Sequence, residues 1–223
     1  MEIKVLKDIL SANDRIAHEN QKLLDSKGVL AINVMASPGA GKTSVILQTI
    51  AGLKDIIRIG VIEGDVSSSI DTERIAKENV PVLQINTGGE CHLDANMVKR
   101  ALRDMPLDDI DILFIENIGN LICTAEFKIG THKNLVIASV PEGDDKPLKY
   151  PLMFTVADII LVNKIDLLPY SKFDIKAYER SVKGLNENVE VIPVSCATGK
   201  GIQRWLKWVT DSKDNIDTEG SAK

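Results

Sequence analysis

The stretch VLAINVMASPGAGKTSVILQTIAGL, residues 29–53, sets an apolar run, a glycine-punctuated turn and an amphipathic run in succession. Residues 36–43 match the pattern G-x-x-x-x-G-K-[ST], with Ala36 where the first glycine is usual. Glycines in such a turn let consecutive backbone N–H groups face inward as a nest for phosphate oxygens, and the helix that follows points its positive end at the same charge. Gly39, Ala40, Gly41, Lys42, Thr43 and Ser44 are therefore the candidate phosphate-binding residues. Lys42 suits the β- and γ-phosphates, and the Thr43 hydroxyl suits Mg²⁺, a hard cation that takes oxygen ligands.

Working outward, apolar runs recur at LAINVM, IIRIGVIE, PVLQI, DILFIEN, NLVIASV, DIILVNK and VEVIPVS, separated by stretches long enough for crossover helices. Their β-branched content and lack of strict alternation fit strands covered on both faces. The expected fold class is α/β, a mostly parallel, doubly wound P-loop NTPase sheet with helices on both faces and ligands at the carboxyl ends of the strands. Apolar spacing before Gly28 predicts an N-terminal helix over residues 1–27. The P-loop domain then occupies residues 28–211, and the polar stretch 212–223 reads as a disordered tail. With 223 residues and 44% hydrophobic content, one substantial domain is expected. A formal net charge of −5 speaks against nucleic acid or anionic membranes as partners. No early apolar leader and no membrane-length run are present, so the expected location is cytoplasmic.

The base is chosen elsewhere. N-K-x-D, residues 163–166, follows a buried strand and resembles the guanine-recognition motif of GTPases. The Asp166 carboxylate accepts from guanine N1–H and the exocyclic amine, a pattern adenine does not offer. Asn163 orients the loop and the Lys164 stem covers the base. Ser195, Cys196 and Ala197 follow the last core strand and resemble the S-A-K turn that contacts guanine O6. The expected cofactors are thus GTP or GDP with Mg²⁺.

Several carboxylates can serve the phosphates. Asp65 and Asp71 flank a serine-rich link, and either can reach magnesium or orient the attacking water together with Lys42; Asp71 can equally be a helix N-cap. Glu116 ends a core run in E-N-I-G, where GTPases resemble D-x-x-G, and is a candidate magnesium carboxylate or a solvated strand end. No glutamine follows Gly119 to position water, so unaided hydrolysis is expected to be slow. Lys149, in the charged loop with Lys146, is either a phosphate contact or a solvated lysine.

The three cysteines are too few for a disulfide framework. Cys91 and His92 are adjacent beside two glycines, and Cys123 follows Glu116 by one loop. Two thiolates and an imidazole suit Zn²⁺ or Ni²⁺, with a fourth ligand from water, Glu90 or a second copy of the chain; the alternative is that the thiols are packing groups. His18 and His132 stand alone and read as ordinary surface or satisfied core histidines.

Assembled, these residues resemble the HypB family, GTPase accessory proteins for nickel insertion into NiFe hydrogenase. The resemblance covers about residues 5–210, with SPGAGKT, IEGD, TGGECHLDA, FIENIGNL, PEGDDKPLKYP, NKIDLLPY and SCATGKG in the family's order. It implies a SIMIBI-class GTPase that forms a homodimer with GTP and binds nickel or zinc at the positions of Cys91, His92 and Cys123. It also implies partnership with the small metallochaperone HypA and, directly or indirectly, the hydrogenase large-subunit precursor. Thr43, Asp71 and Glu116 then form the magnesium site. Some members carry an N-terminal cysteine motif or a histidine-rich tract. Neither occurs in this sequence, so metal work is expected to fall to the Cys/His set. The UreG accessory GTPases are similar in fold but carry a C-P-H motif, and a GTP-dependent switch without metal is the remaining alternative.

Overall fold

The computed structural model describes residues 2–66 and 69–221. Its strands are β1 (Leu30–Ala36), β2 (Ile59–Asp65), β3 (Val82–Asn86), β4 (Ile112–Glu116), β5 (Lys133–Ser139), β6 (Ile159–Asn163) and β7 (Glu190–Pro193). All pair in parallel, in the order β3-β2-β4-β1-β5-β6-β7. The chain order reverses on either side of β1, which places a crevice at its carboxyl end. Each apolar run of the sequence is a strand. Parallel strands need helices on both faces, which is why these runs are apolar throughout rather than alternating.

The helices are α1 (Glu2–Ser26), α2 (Lys42–Leu53), α3 (Ile70–Ala76), α4 (Ala95–Asp104), α5 (Cys123–Glu126), α6 (Lys146–Lys149), α7 (Pro151–Thr155), α8 (Ile175–Leu185) and α9 (Ile202–Ser221). On one face Leu30, Ile32, Val34 and Ala36 pack with Val45, Ile46 and Ile50 of α2 and with Trp205 and Val209 of α9. On the other, Ala31 and Ile115 pack with Leu24 of α1 and Val98 of α4, and Met35 joins a cluster with Phe154 of α7 and Tyr178 of α8. The fully buried Trp205 indole donates to Thr49 Oγ1 at 2.7 Å, which locks α9 onto the helix that begins at the phosphate loop.

The N-terminal helix falls where the spacing predicts it, Met1 lying outside the described residues. The polar tail is a correction. Residues 212–221 continue α9, with Ser212 buried and Ile216 packed on the core. Trp205, Val209, Ser212 and Ile216 recur at helical spacing, so one stripe carries the helix through a polar composition. Residues 222 and 223 lie outside the described residues. No helix among those described is long and apolar enough to cross a membrane.

Candidate nucleotide and metal site

The phosphate loop joins β1 to α2 with Gly39 at φ 74° and Gly41 at φ 107°, a left-handed conformation that turns backbone N–H groups to one side. A Cβ at Gly41 would lie 2.4 Å from Asn163 Nδ2, so glycine here also lets the N-K-x-D loop close on the phosphate loop. Asn163 Nδ2 donates to Ala40 O at 3.0 Å, and Lys164 Nζ donates to Gly39 O at 2.7 Å. Lys164 itself holds φ 62°.

The N-K-x-D and S-C-A loops are tied together as well. Asn163 Oδ1 accepts from Lys164 N at 2.8 Å and Cys196 N at 3.3 Å, joining the two. Ser195 Oγ donates to Asp166 Oδ1 at 2.5 Å and fixes the carboxylate's orientation. Gly41, Ser44, Gln48, Asn163, Asp166 and Cys196 line one cleft of about 440 Å³. Burial pushes the Cys196 thiol up to about 11, so it sits neutral at the cleft wall.

Behind the phosphate loop, Thr43 Oγ1 donates to Glu116 Oε1 at 3.1 Å and Lys42 Nζ stands 3.8 Å from the same oxygen. Glu116 is buried, and its Oε2 has no hydrogen-bond partner among the described residues. Burial pushes its carboxyl up to about 7 against the pull of Lys42, and the charge of Glu63 adds to the rise. An orphaned carboxylate oxygen and a threonine hydroxyl at a phosphate loop form an oxygen donor set that fits a hard divalent cation, with the Lys42 ammonium beside them placed for anionic oxygens. Gly119 holds this strand end close, since a Cβ there would meet the Pro38 backbone at 2.9 Å.

Cys91, His92 and Cys123 meet nearby, with ligand atoms all within 4.8 Å of one another. Cys91 Sγ lies 3.6 Å from His92 Nδ1. The His92 ring stacks on Phe127 at 3.9 Å between centroids, which holds it toward the thiols. The hydrogen bond that the Cys123 thiol donates to Cys91 raises it, with desolvation and charge adding. Metal binding must therefore displace protons.

Residues 30–193 match the family model described as CobW/HypB/UreG, nucleotide-binding domain. The chain is 46% identical over 214 residues to a probable hydrogenase maturation factor HypB of Methanocaldococcus jannaschii, covering 96% of this chain and 97% of that protein. It is 44% identical over 202 residues to the HypB of Escherichia coli, covering 91% and 70%. The HypB of Helicobacter pylori, solved in complex with nickel, superposes with a TM-score of 0.87 at 34% identity over 92% of this chain and 96% of that one. The chain belongs to the HypB family. It is a P-loop nucleotide-binding domain of the hydrogenase maturation class, and a second HypB structure, from Archaeoglobus fulgidus, matches with a TM-score of 0.86 at 37% identity over 92% of this chain and all of that one.

Within this HypB-family frame the chain places Lys42, Thr43 and Glu116 together at the phosphate loop. Asp65 ends β2, with its backbone O accepting from Thr87 N at 3.0 Å. Asp71 is not the N-cap of α3, because Ser69 holds that position; it lies in the first turn and pairs with Arg74 at 2.9 Å. Glu90 is not among the ligand atoms brought together at the Cys/His cluster. Lys149 points into solvent and pairs with Asp145 at 2.5 Å, and Lys146 lies over the Tyr150 ring. His132 is a structural residue, its Nδ1 accepting from Ala31 N and its Nε2 facing Asp25 Oδ1, each at 2.9 Å.

The sequence reading missed the residues that join these parts. Glu63, buried and level with Glu116 in the sheet, accepts from Thr72 of α3, and desolvation raises its carboxyl. Asn117 is fully buried; its Oδ1 accepts from Leu93 N, next to His92, at 3.0 Å, and its Nδ2 donates to Asn33 Oδ1. Asn120 Oδ1 accepts from Ile122 N and Cys123 N, fixing the turn that leads into α5. From α1, Asn13 and Asn20 bond both the start of α4 at Ala95 and the segment after α5 at Lys128 and Ile129. One helix thus braces both loops of the Cys/His cluster. Asparagines inside apolar patterns were the available signal.

Proposed function

We propose that this chain is a GTP-binding and GTP-hydrolysing metallochaperone that carries nickel during maturation of NiFe hydrogenase. The observation that carries this reading is the meeting of Cys91, His92 and Cys123, on loops tied through Asn117 and Asn120 to the strand end that bears Glu116. The nickel complex of the Helicobacter pylori relative supports nickel as cargo, and the same donors suit Zn²⁺.

In this reading the backbone N–H groups of residues 39–44 cradle the phosphates and Lys42 neutralises them. Thr43 Oγ1, Glu116 and Asp71 hold Mg²⁺, which supplies charge neutralisation at the transferring phosphoryl group. Asp65 or Asp71 orients the attacking water. Asn163, Lys164, Asp166, Ser195, Cys196 and Ala197 hold guanine. The residue after Gly119 is Asn120, its carboxamide oxygen occupied by Ile122 N and Cys123 N, so no side chain there positions water and hydrolysis is slow.

The metal site is coupled to a GTP-dependent homodimer. Three ligands leave a tetrahedral ion one short, and Cys91 is exposed, as is Ile122 beside Cys123. A second copy bringing its own set completes the coordination. HypA is the small metallochaperone partner, the hydrogenase large-subunit precursor is the destination, and the setting is the cytoplasm.

Equilibrium dialysis of Ni²⁺ and Zn²⁺ against the wild type, Cys91→Ala and Cys123→Ala tests the cargo assignment. Loss of tight binding in both variants is expected. Unchanged affinity leaves a guanosine-nucleotide switch without a metal role.

A further inference from the structure

The cleft assigned above to the guanosine moiety has a wall that the N-K-x-D and S-C-A motifs do not supply. Arg74 of α3 lines it together with Ser44, Leu47 and Gln48 of α2. Those α2 residues lie just past the phosphate loop. They flank the path that a sugar and its first phosphate must take between Gly41 and Asp166. Arg74 and Lys164 are the cations of that lining, and Lys164 is engaged with Gly39 O at 2.7 Å.

The guanidinium of Arg74 donates through Nη1 to Asp71 Oδ1 at 2.9 Å, one turn back on the same helix. Both side chains are partly exposed, 47% and 38%, and exposed pairs of this kind hold weakly. Asp71 also acts beyond this pair. Its charge is felt at both buried carboxylates of the magnesium corner, Glu63 and Glu116, and the next residue, Thr72, bonds Glu63 directly. A single short helix therefore carries a cation at the nucleoside cleft and an anion whose charge reaches the carboxylates beside the phosphate loop, and the two pair with each other.

We infer that Arg74 is a nucleotide-binding residue that exchanges Asp71 for the ribose and α-phosphate of the bound nucleotide, releasing Asp71 to the magnesium corner in the same step. A guanidinium suits this task because its planar fork of donors matches a phosphate or a vicinal diol with two hydrogen bonds, which an ammonium cannot reproduce. The inference rests on the assignment of this cleft to a guanosine nucleotide, and it adds to that assignment a residue which links nucleoside binding to metal-ion binding.

Calorimetric titration of GDP, with and without Mg²⁺, into the wild type, Arg74→Ala, Arg74→Lys, Asp71→Asn and the double variant tests it. Arg74→Ala should weaken GDP binding by about tenfold, with Arg74→Lys recovering only part. Asp71→Asn should tighten Mg²⁺-free GDP binding several-fold, because the arginine no longer has a competitor, and this gain should vanish when Arg74 is also alanine. GDP affinity unchanged in Arg74→Ala, or an Asp71→Asn gain that persists undiminished without Arg74, overturns the inference. Should Arg74→Ala fail to fold by circular dichroism, Arg74→Lys and Asp71→Asn decide alone: no loss in the first and no gain in the second overturn it. A wild type that binds no GDP defeats instead the nucleotide assignment, and the two failures are thereby told apart.

Discussion

The side-chain oxygen of Asn117 accepts the backbone N–H of Leu93 at 3.0 Å, so the residue after Glu116 holds the residue after His92. The strand end that bears Glu116 and the loop that bears Cys91 and His92 share one buried carboxamide. Truncation by Asn117→Ala leaves the Leu93 N–H and the Asn33 Oδ1 without this partner in a fully buried place. The expected loss is about 2–4 kcal/mol of stability, measured by urea unfolding. Nickel affinity in the folded variant should respond less to bound nucleotide than in the wild type. A variant as stable as the wild type would contradict this role.

Glu116 gives the site a pH signature. Its folded carboxyl is pushed up to about 7 by burial, above the ordinary 4.5 of the unfolded chain. The folded state therefore holds a proton that the unfolded state releases. Its stabilisation is full below about pH 4.5 and is lost as pH rises through 7. Glu116→Gln removes that dependence. At pH 8 without nucleotide the variant should be more stable than the wild type by about 1–3 kcal/mol, while Mg²⁺-dependent nucleotide binding is weakened at least tenfold. Thermal melts between pH 5 and 8.5, with Mg²⁺ titrations, check both signs; a variant less stable at pH 8 would contradict the reading.

Asp166 is held by Ser195 Oγ at 2.5 Å before any base arrives. Asp166→Asn exchanges an acceptor for a donor where guanine presents its amine. GDP affinity should fall by about a hundredfold or more, with xanthosine diphosphate gaining in its place. Competition binding with both nucleotides measures the swap, and an unchanged preference for GDP would remove Asp166 from the base site.

The Cys196 thiol, pushed up to about 11 by burial, should alkylate far more slowly at pH 8 than the exposed Cys91. Its rate should climb with each step toward pH 10, and GDP should suppress it because the thiol lines the same cleft. Mass spectrometry of iodoacetamide-treated protein reads both. Equal rates for the two cysteines would place Cys196 outside the cleft wall.

Much of this site was legible because its motifs are short and contiguous. The phosphate loop, N-K-x-D and S-C-A each stand out within a few residues, residues of all three line one cleft, and every apolar run proved to be a strand. The convergence of Cys91 and His92 with Cys123 was also anticipated. Glu63 was passed over because it sits inside an apolar run, and only the sheet register places it level with Glu116. Asn13, Asn20 and Asn117 bond partners up to 115 residues away, a relation no local pattern encodes. Asp71 yielded the cap to Ser69, two residues earlier, since composition does not resolve where a short helix begins. The stretch after residue 211 looked like a tail because polarity was weighed above the spacing of Ser212 and Ile216 against Trp205.

In the proposed function the guanosine nucleotide and the transition ion report to each other through the segment from Glu116 to Cys123. Titration of Ni²⁺ into the protein loaded with GDP, and separately with a non-hydrolysable GTP analogue, tests it most directly. The predicted result is a shift in nickel affinity of about fivefold or more between the two nucleotides, abolished by Cys123→Ala. Identical affinities in both nucleotide states, with each ligand binding tightly by itself, would contradict the coupling.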